Sequence, residues 1–179
     1  MLKIASAFFF CGVDRLLIWG YPKIGRENKR RRKMKTAIVY QSYHHGNTKK
    51  LLDAIAEKYE VTLIDAEKQR DYDLSQYDRI GFASGIAVGK FYSKVLKAMK
   101  EKLPEGKEVF FIFTCGVMKD RYTNAAKKIA RKKNAKILGE YGCLGYDTVG
   151  IFKLFGGFAK GHPTREEIEK AVEFYGSLK

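Results

Sequence analysis

Lys35–Tyr59 reads KTAIVYQSYHHGNTKKLLDAIAEKY, an apolar strand run, a short polar loop and an amphipathic helix. Thr36–Tyr40 has the continuous apolar character of a covered strand. Leu51, Leu52, Ile55, Ala56 and Tyr59 then recur at helical spacing over about Asn47–Lys58. Gly46-Asn47-Thr48 stands where that helix begins. Unpaired backbone N–H groups and the positive end of the helix dipole converge there and attract phosphate. The loop has no Gly-Lys-Ser/Thr ending, which argues against an NTPase, and it lacks the three spaced glycines of a dinucleotide fingerprint. Hydroxyls and amides without a lysine suit a phosphate monoester held by neutral donors.

Outward from this unit, strand and helix patterns alternate. Val61–Ile64, Arg79–Ser84, Glu108–Thr114 and Ala135–Leu144 read as further strands, Glu108–Thr114 central and Ala135–Leu144 at an edge. One helix carries Tyr92, Val95, Leu96, Met99 and Leu103 and stops before Pro104 and Gly106. Another covers Tyr122–Lys133. Thr164-Arg165-Glu166-Glu167 is a capping box opening a last helix with Ile168, Ala171, Val172, Tyr175 and Leu178 on its buried stripe. The expected fold is α/β, a doubly wound five-stranded parallel sheet of order 2-1-3-4-5. Ligands of such sheets bind beyond the carboxyl ends of the strands, so the loops after the first, third and fourth strands are the ones to read.

The first of these loops, QSYHHGNT (Gln41–Thr48), offers the Ser42 and Thr48 hydroxyls, the Asn47 amide and backbone donors, with His44 and His45 as further donors near neutral pH. An ordinary capped turn has the same residues. SGIAVGKF (Ser84–Phe91) has glycines that let backbone approach a flat ligand, and Phe91 or Tyr92 can stack on a ring. TCGVMKDRY (Thr114–Tyr122) ends a buried strand, so its amides point outward. Cys115 has no His or acidic partner beside it in sequence and reads as a small strand-end residue rather than a nucleophile.

IVYQSYHHGNT, GFASGIAVGKFY, FIFTCG and GCLGYDTVGIFKLFGGFAKGHPTREEIEKAVEFY together resemble the flavodoxin family over about Lys35–Lys179, in particular its short members with a Lys-Gly-His-Pro segment before the last helix. The resemblance implies noncovalently bound FMN. It implies phosphate contacts at Ser42, His44, His45, Gly46, Asn47 and Thr48. The isoalloxazine is expected between Ser84, Gly85, Ile86, Ala87 and Phe91 on one side and Thr114, Cys115, Gly116, Val117 and Tyr122 on the other. Departures are plain: the phosphate loop is one residue shorter than the family's, and His45 replaces its middle threonine. Trp19, the single tryptophan, falls within residues 1–33, so the second loop offers no tryptophan to stack on a flavin.

Charge sets this chain apart from the acidic flavodoxins. Of the net +15, residues 1–33 contribute +7 from 9 Lys/Arg against 2 Asp/Glu. The rest holds 26 against 18, or +8. Residues 1–33 read as an over-extended start or an N-terminal tail, with Arg30-Arg31 encodable by a ribosome-binding AGG-AGG just ahead of Met34. Residues 34–179 read as the FMN-binding domain. The apolar run Ile4–Val13 is too short to span a bilayer. Three cysteines without a CxxC favour a reducing, cytoplasmic setting and no metal site. Phe152, Leu154, Phe155 and Phe158 in the long segment Gly145–Pro163 suggest either a docking surface or a cover for the sheet edge.

The expected function is electron transfer by bound FMN, with redox proteins bearing acidic surfaces as partners. An NAD(P)H- or quinone-dependent flavin oxidoreductase on the same fold is the alternative. A nucleic-acid-binding domain is a third reading, without any recognition motif to support it.

Overall fold

β1 (Thr36–Gln41) is buried along its whole length, as a strand must be when helices cover both faces of a parallel sheet. The computed structural model describes residues 34–43, 45–148 and 157–178. The readings placed on residues 1–33, on His44 and on Phe152, Leu154 and Phe155 lie outside the described residues. After β1 come α1 (Asn47–Lys58), β2 (Thr62–Asp65), β3 (Arg79–Ala87), β4 (Lys90–Phe91) and α2 (Ser93–Lys102). β5 (Glu108–Cys115), α3 (Asn124–Lys132), β6 (Lys136–Leu144) and α4 (Arg165–Ser177) complete the order.

The long strands run parallel in the order β2-β1-β3-β5-β6, the doubly wound 2-1-3-4-5 order once β4 is set aside. β4 is a sixth strand that the sequence pattern does not announce. It folds back antiparallel on β3, with Ile86 opposite Phe91 and Ala87 opposite Lys90. β3 accordingly runs on to Ala87 rather than ending at Ser84, and the chain turns through Val88 and Gly89, both at positive φ. α3 starts two residues later than the apolar spacing suggests, because Tyr122 is tied into the preceding turn by donating its hydroxyl to the Val117 carbonyl at 2.7 Å.

Alternation along the strands builds two cores. Ile38, Tyr40, Phe110 and Ile112 face α1 and α4 with Leu51, Leu52, Ile55 and Ala171. Val39, Phe82, Phe111 and Phe113 face α2 and α3 with Val95, Met99, Ala126 and Ala130. Rings cross the sheet where the neighbouring strand has glycine: a Cβ at Gly81 would run into the Phe110 ring, and one at Gly142 into the Phe113 ring. These glycines are required by close approach, not by turn geometry.

The capping box is formed at α4. Thr164 Oγ1 accepts the Glu167 N–H at 3.3 Å, and Glu167 Oε2 accepts the Thr164 N–H at 2.6 Å. The same carboxylate receives His162 Nδ1 at 2.8 Å, while Leu144 N–H reaches its other oxygen at 3.4 Å. Burial pushes the Glu167 carboxyl up, but the donors of Thr164, His162 and Leu144 outweigh it and hold it below the usual carboxylate range. A carboxylate with a depressed folded pKa stabilises fully above its unfolded value, and that contribution fades as pH falls through the folded one. Glu167→Gln is therefore expected to cost about 1–2 kcal/mol at pH 7. The difference from the parent should shrink below pH 4 in urea-unfolding curves.

Candidate functional site

At the carboxyl ends of β1, β3 and β5 the backbone opens a solvent-accessible cleft of about 320 Å³. It lies at the point where the strand order reverses between β1 and β3, the expected ligand position in a doubly wound sheet. The first wall is the loop from β1 into α1. Gly46 precedes the helix in the left-handed conformation (φ 65°), as does His45 (φ 53°). No side chain caps α1 at Gly46, and no acidic residue occupies its first turn. Ser42 Oγ accepts the Lys49 N–H at 3.2 Å. The Asn47 and Thr48 amides precede the first intrahelical donor and face the open end.

Asn47 and Thr48 are turned inward. Thr48 Oγ1 lies 2.9 Å from Thr114 Oγ1, joining α1 to the end of β5. Asn47 Nδ2 donates to the Tyr146 carbonyl at 2.8 Å, which straps the loop after β6 onto α1. Its Oδ1 is buried without a hydrogen-bond partner among the described residues. The strap passes close: a Cβ at Gly145 would meet Asn47 Nδ2 at 2.9 Å and Thr114 at 3.1 Å. His45 stacks on Tyr146 with centroids 4.4 Å apart and brings Nε2 within 3.1 Å of Thr148 Oγ1.

The second wall is β3 and its hairpin. Ser84 Oγ accepts the Tyr92 N–H at 2.8 Å and donates to the Gly85 carbonyl at 2.6 Å, setting the exit of β3. Gly85 and Ile86 line the cleft. Phe91 does not: it is 1% exposed, inside the core against Phe111 and Phe113. Stacking of a ligand ring on Phe91 is thereby corrected. Pairing of Phe91 with Ile86 sends its side chain to the core and leaves Tyr92 at the cleft. The Tyr92 ring lies where a Gly85 Cβ would be, 2.9 Å away, and meets Tyr43 edge-on at 5.3 Å.

The third wall is Thr114, Cys115 and Gly116. Val117 is exposed outside the cleft lining, Ala87 sits in the hairpin, and Tyr122 is buried, so ring contact at Tyr122 is also corrected. Cys115 Sγ sits 3.2 Å from Met118 Sδ, and burial pushes its thiol up to about 12, as it does that of Cys143. A thiolate nucleophile is thus suppressed about a thousandfold at pH 8 relative to an ordinary cysteine. In a Cys11→Ser background the native protein is expected to be unreactive toward Ellman's reagent, with both remaining thiols titrating after unfolding.

Of the two aromatics read as stacking candidates, Tyr92 is the one that lines the cleft. Tyr43, Gly145, Tyr146 and Asp147 line it without standing among the expected contacts; Tyr43 lies inside the phosphate loop, and Gly145-Tyr146-Asp147 leaves the strand beside β5 at the same sheet end. Among the described residues, no helix is long and apolar enough to cross a membrane.

The Flavodoxin domain family matches residues 37–154. An uncharacterized protein of Methanocaldococcus jannaschii is 37% identical over 147 residues, covering 81% of this chain and 98% of that protein. A flavodoxin from the domain Archaea superposes with a TM-score of 0.57 at 18% identity, covering 77% of this chain and 92% of its own. Rubredoxin oxygen:oxidoreductase from the anaerobe Desulfovibrio gigas gives 0.61 at 15% identity, over 80% of this chain and 35% of the longer protein. With the fold, the strand order and the cleft at the switch point all in agreement with the family match, the chain belongs to the flavodoxin domain family.

Proposed function

We propose that this chain binds FMN noncovalently and carries electrons between proteins in the reducing cytoplasm. The observation that carries the reading is the N-terminus of α1, without an acid in its first turn, opening on the cleft at the switch point among mostly neutral groups. A phosphate dianion matches the free amides and dipole there. The rest of the cleft fits a flavin by its donor set. Asn47 Oδ1 is a buried acceptor without a donor among the described residues, which a sugar-alcohol hydroxyl can supply. Gly85 and Gly116 present bare backbone, and Tyr43 with Tyr92 offers aromatic surface to a flat ring.

When bound, FMN supplies the electron-transfer chemistry. The chain's own residues bind and orient it: the Ser42–Thr48 loop takes the phosphate, and the Gly85–Ile86 and Thr114–Gly116 backbones meet the ring edges. The flavodoxins among the structural relatives support the redox part of the reading. Cys115, the one thiol lining the cleft among the described residues, has its thiol pushed up by burial, which favours a carrier over a covalent catalyst. The test is to load the purified full chain with FMN and follow reduction by dithionite and reoxidation by an electron acceptor protein. Stoichiometric uptake with slow NAD(P)H–quinone turnover is expected. Rapid turnover would overturn the carrier reading in favour of an oxidoreductase.

A further inference from the structure

On the α2–α3 face of the sheet, these two helices enclose a groove of about 1020 Å³, larger than the cleft. Its floor is apolar, made by Leu96, Ala125 and Ile129, of which Leu96 and Ile129 also pack against the core. Lys90 and Lys100 line it from the β4–α2 side, and Lys128, Lys132 and Lys133 from α3. No carboxylate lines it.

Five lysines thus line one groove with no acid among them. Several lysines elsewhere sit against acids: Lys49 with Asp53, Lys94 with Glu67, Lys127 with Glu140 and Lys170 with Glu166. Among the described residues, none of the five groove ammonium groups has an ion-pair partner. Like charges gathered without counter-charge repel one another and stabilise only an anionic occupant. The half-buried apolar floor adds a second demand, for hydrophobic surface between the occupant's charges.

We propose that the α2–α3 groove docks an acidic amphipathic helix of a partner protein. α2 spans 10 residues, so its wall is about 15 Å long, enough for roughly three turns of a bound helix. Such a helix lays an apolar stripe at i, i+3, i+4 and i+7 on the floor and carries flanking carboxylates to the lysines on both sides, the helix-in-groove mode of recognition. A nucleic-acid backbone uses the lysines but leaves the floor uncovered, and a flat bilayer surface does not follow a concave one. The two sites share a hairpin: Lys90 lines the groove and Ile86, across the turn, lines the cleft. A partner contacting Lys90 is held beside the cofactor end. The inference rests on the electron-transfer reading for its purpose, although the docking itself is a property of α2 and α3.

The probe is a synthetic acidic helix of roughly 18 residues with leucine at i, i+3, i+4 and i+7 between glutamates, compared with a scrambled peptide of the same composition. Titrations use the full chain, both free and FMN-loaded, at low and moderate salt. The amphipathic peptide is expected to bind at least about tenfold tighter than the scramble, weakening as salt rises. Lys128→Glu/Lys132→Glu is expected to lose at least about tenfold in affinity, while Lys68→Glu/Lys170→Glu, with the same charge change elsewhere, retains it. Equal binding of both peptides, equal losses in both double variants, or no binding would each overturn the proposal. So would tighter binding of phosphatidylglycerol vesicles or a single-stranded oligonucleotide that is abolished by the groove variant. Peptide binding without flavin uptake would leave the groove standing and remove the cofactor reading.

Discussion

Phe110→Ala is expected to cost about 3–5 kcal/mol of folding stability, a large part of the roughly 5–15 kcal/mol that holds a domain of this size together. Phe110 is fully buried in the centre of β5, paired across the sheet with Gly81 on β3 and Gly139 on β6. Its ring lies in the space that a Gly81 side chain would take, with the Tyr175 and Phe174 rings edge-on at 5.6 and 6.4 Å. Removing it empties a site bounded by backbone on one side and two aromatic rings on the other. Neither can collapse far, so the cavity penalty is added to the lost transfer energy. Gly81→Ala probes the same contact from the opposite strand by overpacking, at about 1–3 kcal/mol. Urea unfolding of the flavin-free chain should show both as lower midpoints with unchanged slope.

Ser42→Asp is expected to move stability and ligand affinity in opposite directions. The Ser42 hydroxyl now accepts the Lys49 amide hydrogen bond at the start of α1. A carboxylate in its place accepts the same bond with a full charge and complements the dipole of a helix whose first turn holds no acid. The flavin-free protein should therefore gain about 0.5–1 kcal/mol. That charge occupies the position assigned to the phosphate, and repulsion should cost about 2–3 kcal/mol, or roughly a hundredfold in Kd for FMN. Ser42→Ala loses the hydrogen bond without adding charge and should weaken FMN binding by less than about tenfold. Fluorescence titration and thermal melts of the same preparations read both quantities. A folding defect would lower both together, so their divergence separates a site effect from damage.

The parts of this fold that the sequence announces are those with long, regular patterns. Thr36–Tyr40, the stripe from Leu51 to Ile55, EVFFIFT of β5 and the capping box at Thr164 each carry a periodicity or a terminal signal that tertiary packing reinforces. What escapes is decided by pairing between segments too short to have a period. β4 is two residues long, and its pairing across the Val88-Gly89 turn determines which of two adjacent aromatics goes inward. Phe91 therefore joins Phe111 and Phe113, while Tyr92 stands at the cleft. Tyr122 shares this history: its helical spacing is genuine, but a hydroxyl bond to the Val117 carbonyl draws it into the turn before α3. Asn47 and Thr48 are legible as helix-start residues, yet their ties to Tyr146 and Thr114 depend on strands distant in sequence. The strap Gly145–Asp147 is the least legible wall, because it follows an edge strand whose mixed pattern draws attention to the sheet rim rather than to the ligand end.

The most direct measurement is the affinity of the flavin-free chain for FMN against riboflavin, taken by fluorescence titration at neutral pH. If the open end of α1 holds the phosphate, FMN should bind at least about a hundredfold more tightly, with the advantage falling in Ser42→Asp. Equal affinity for the two flavins would contradict the account at its centre.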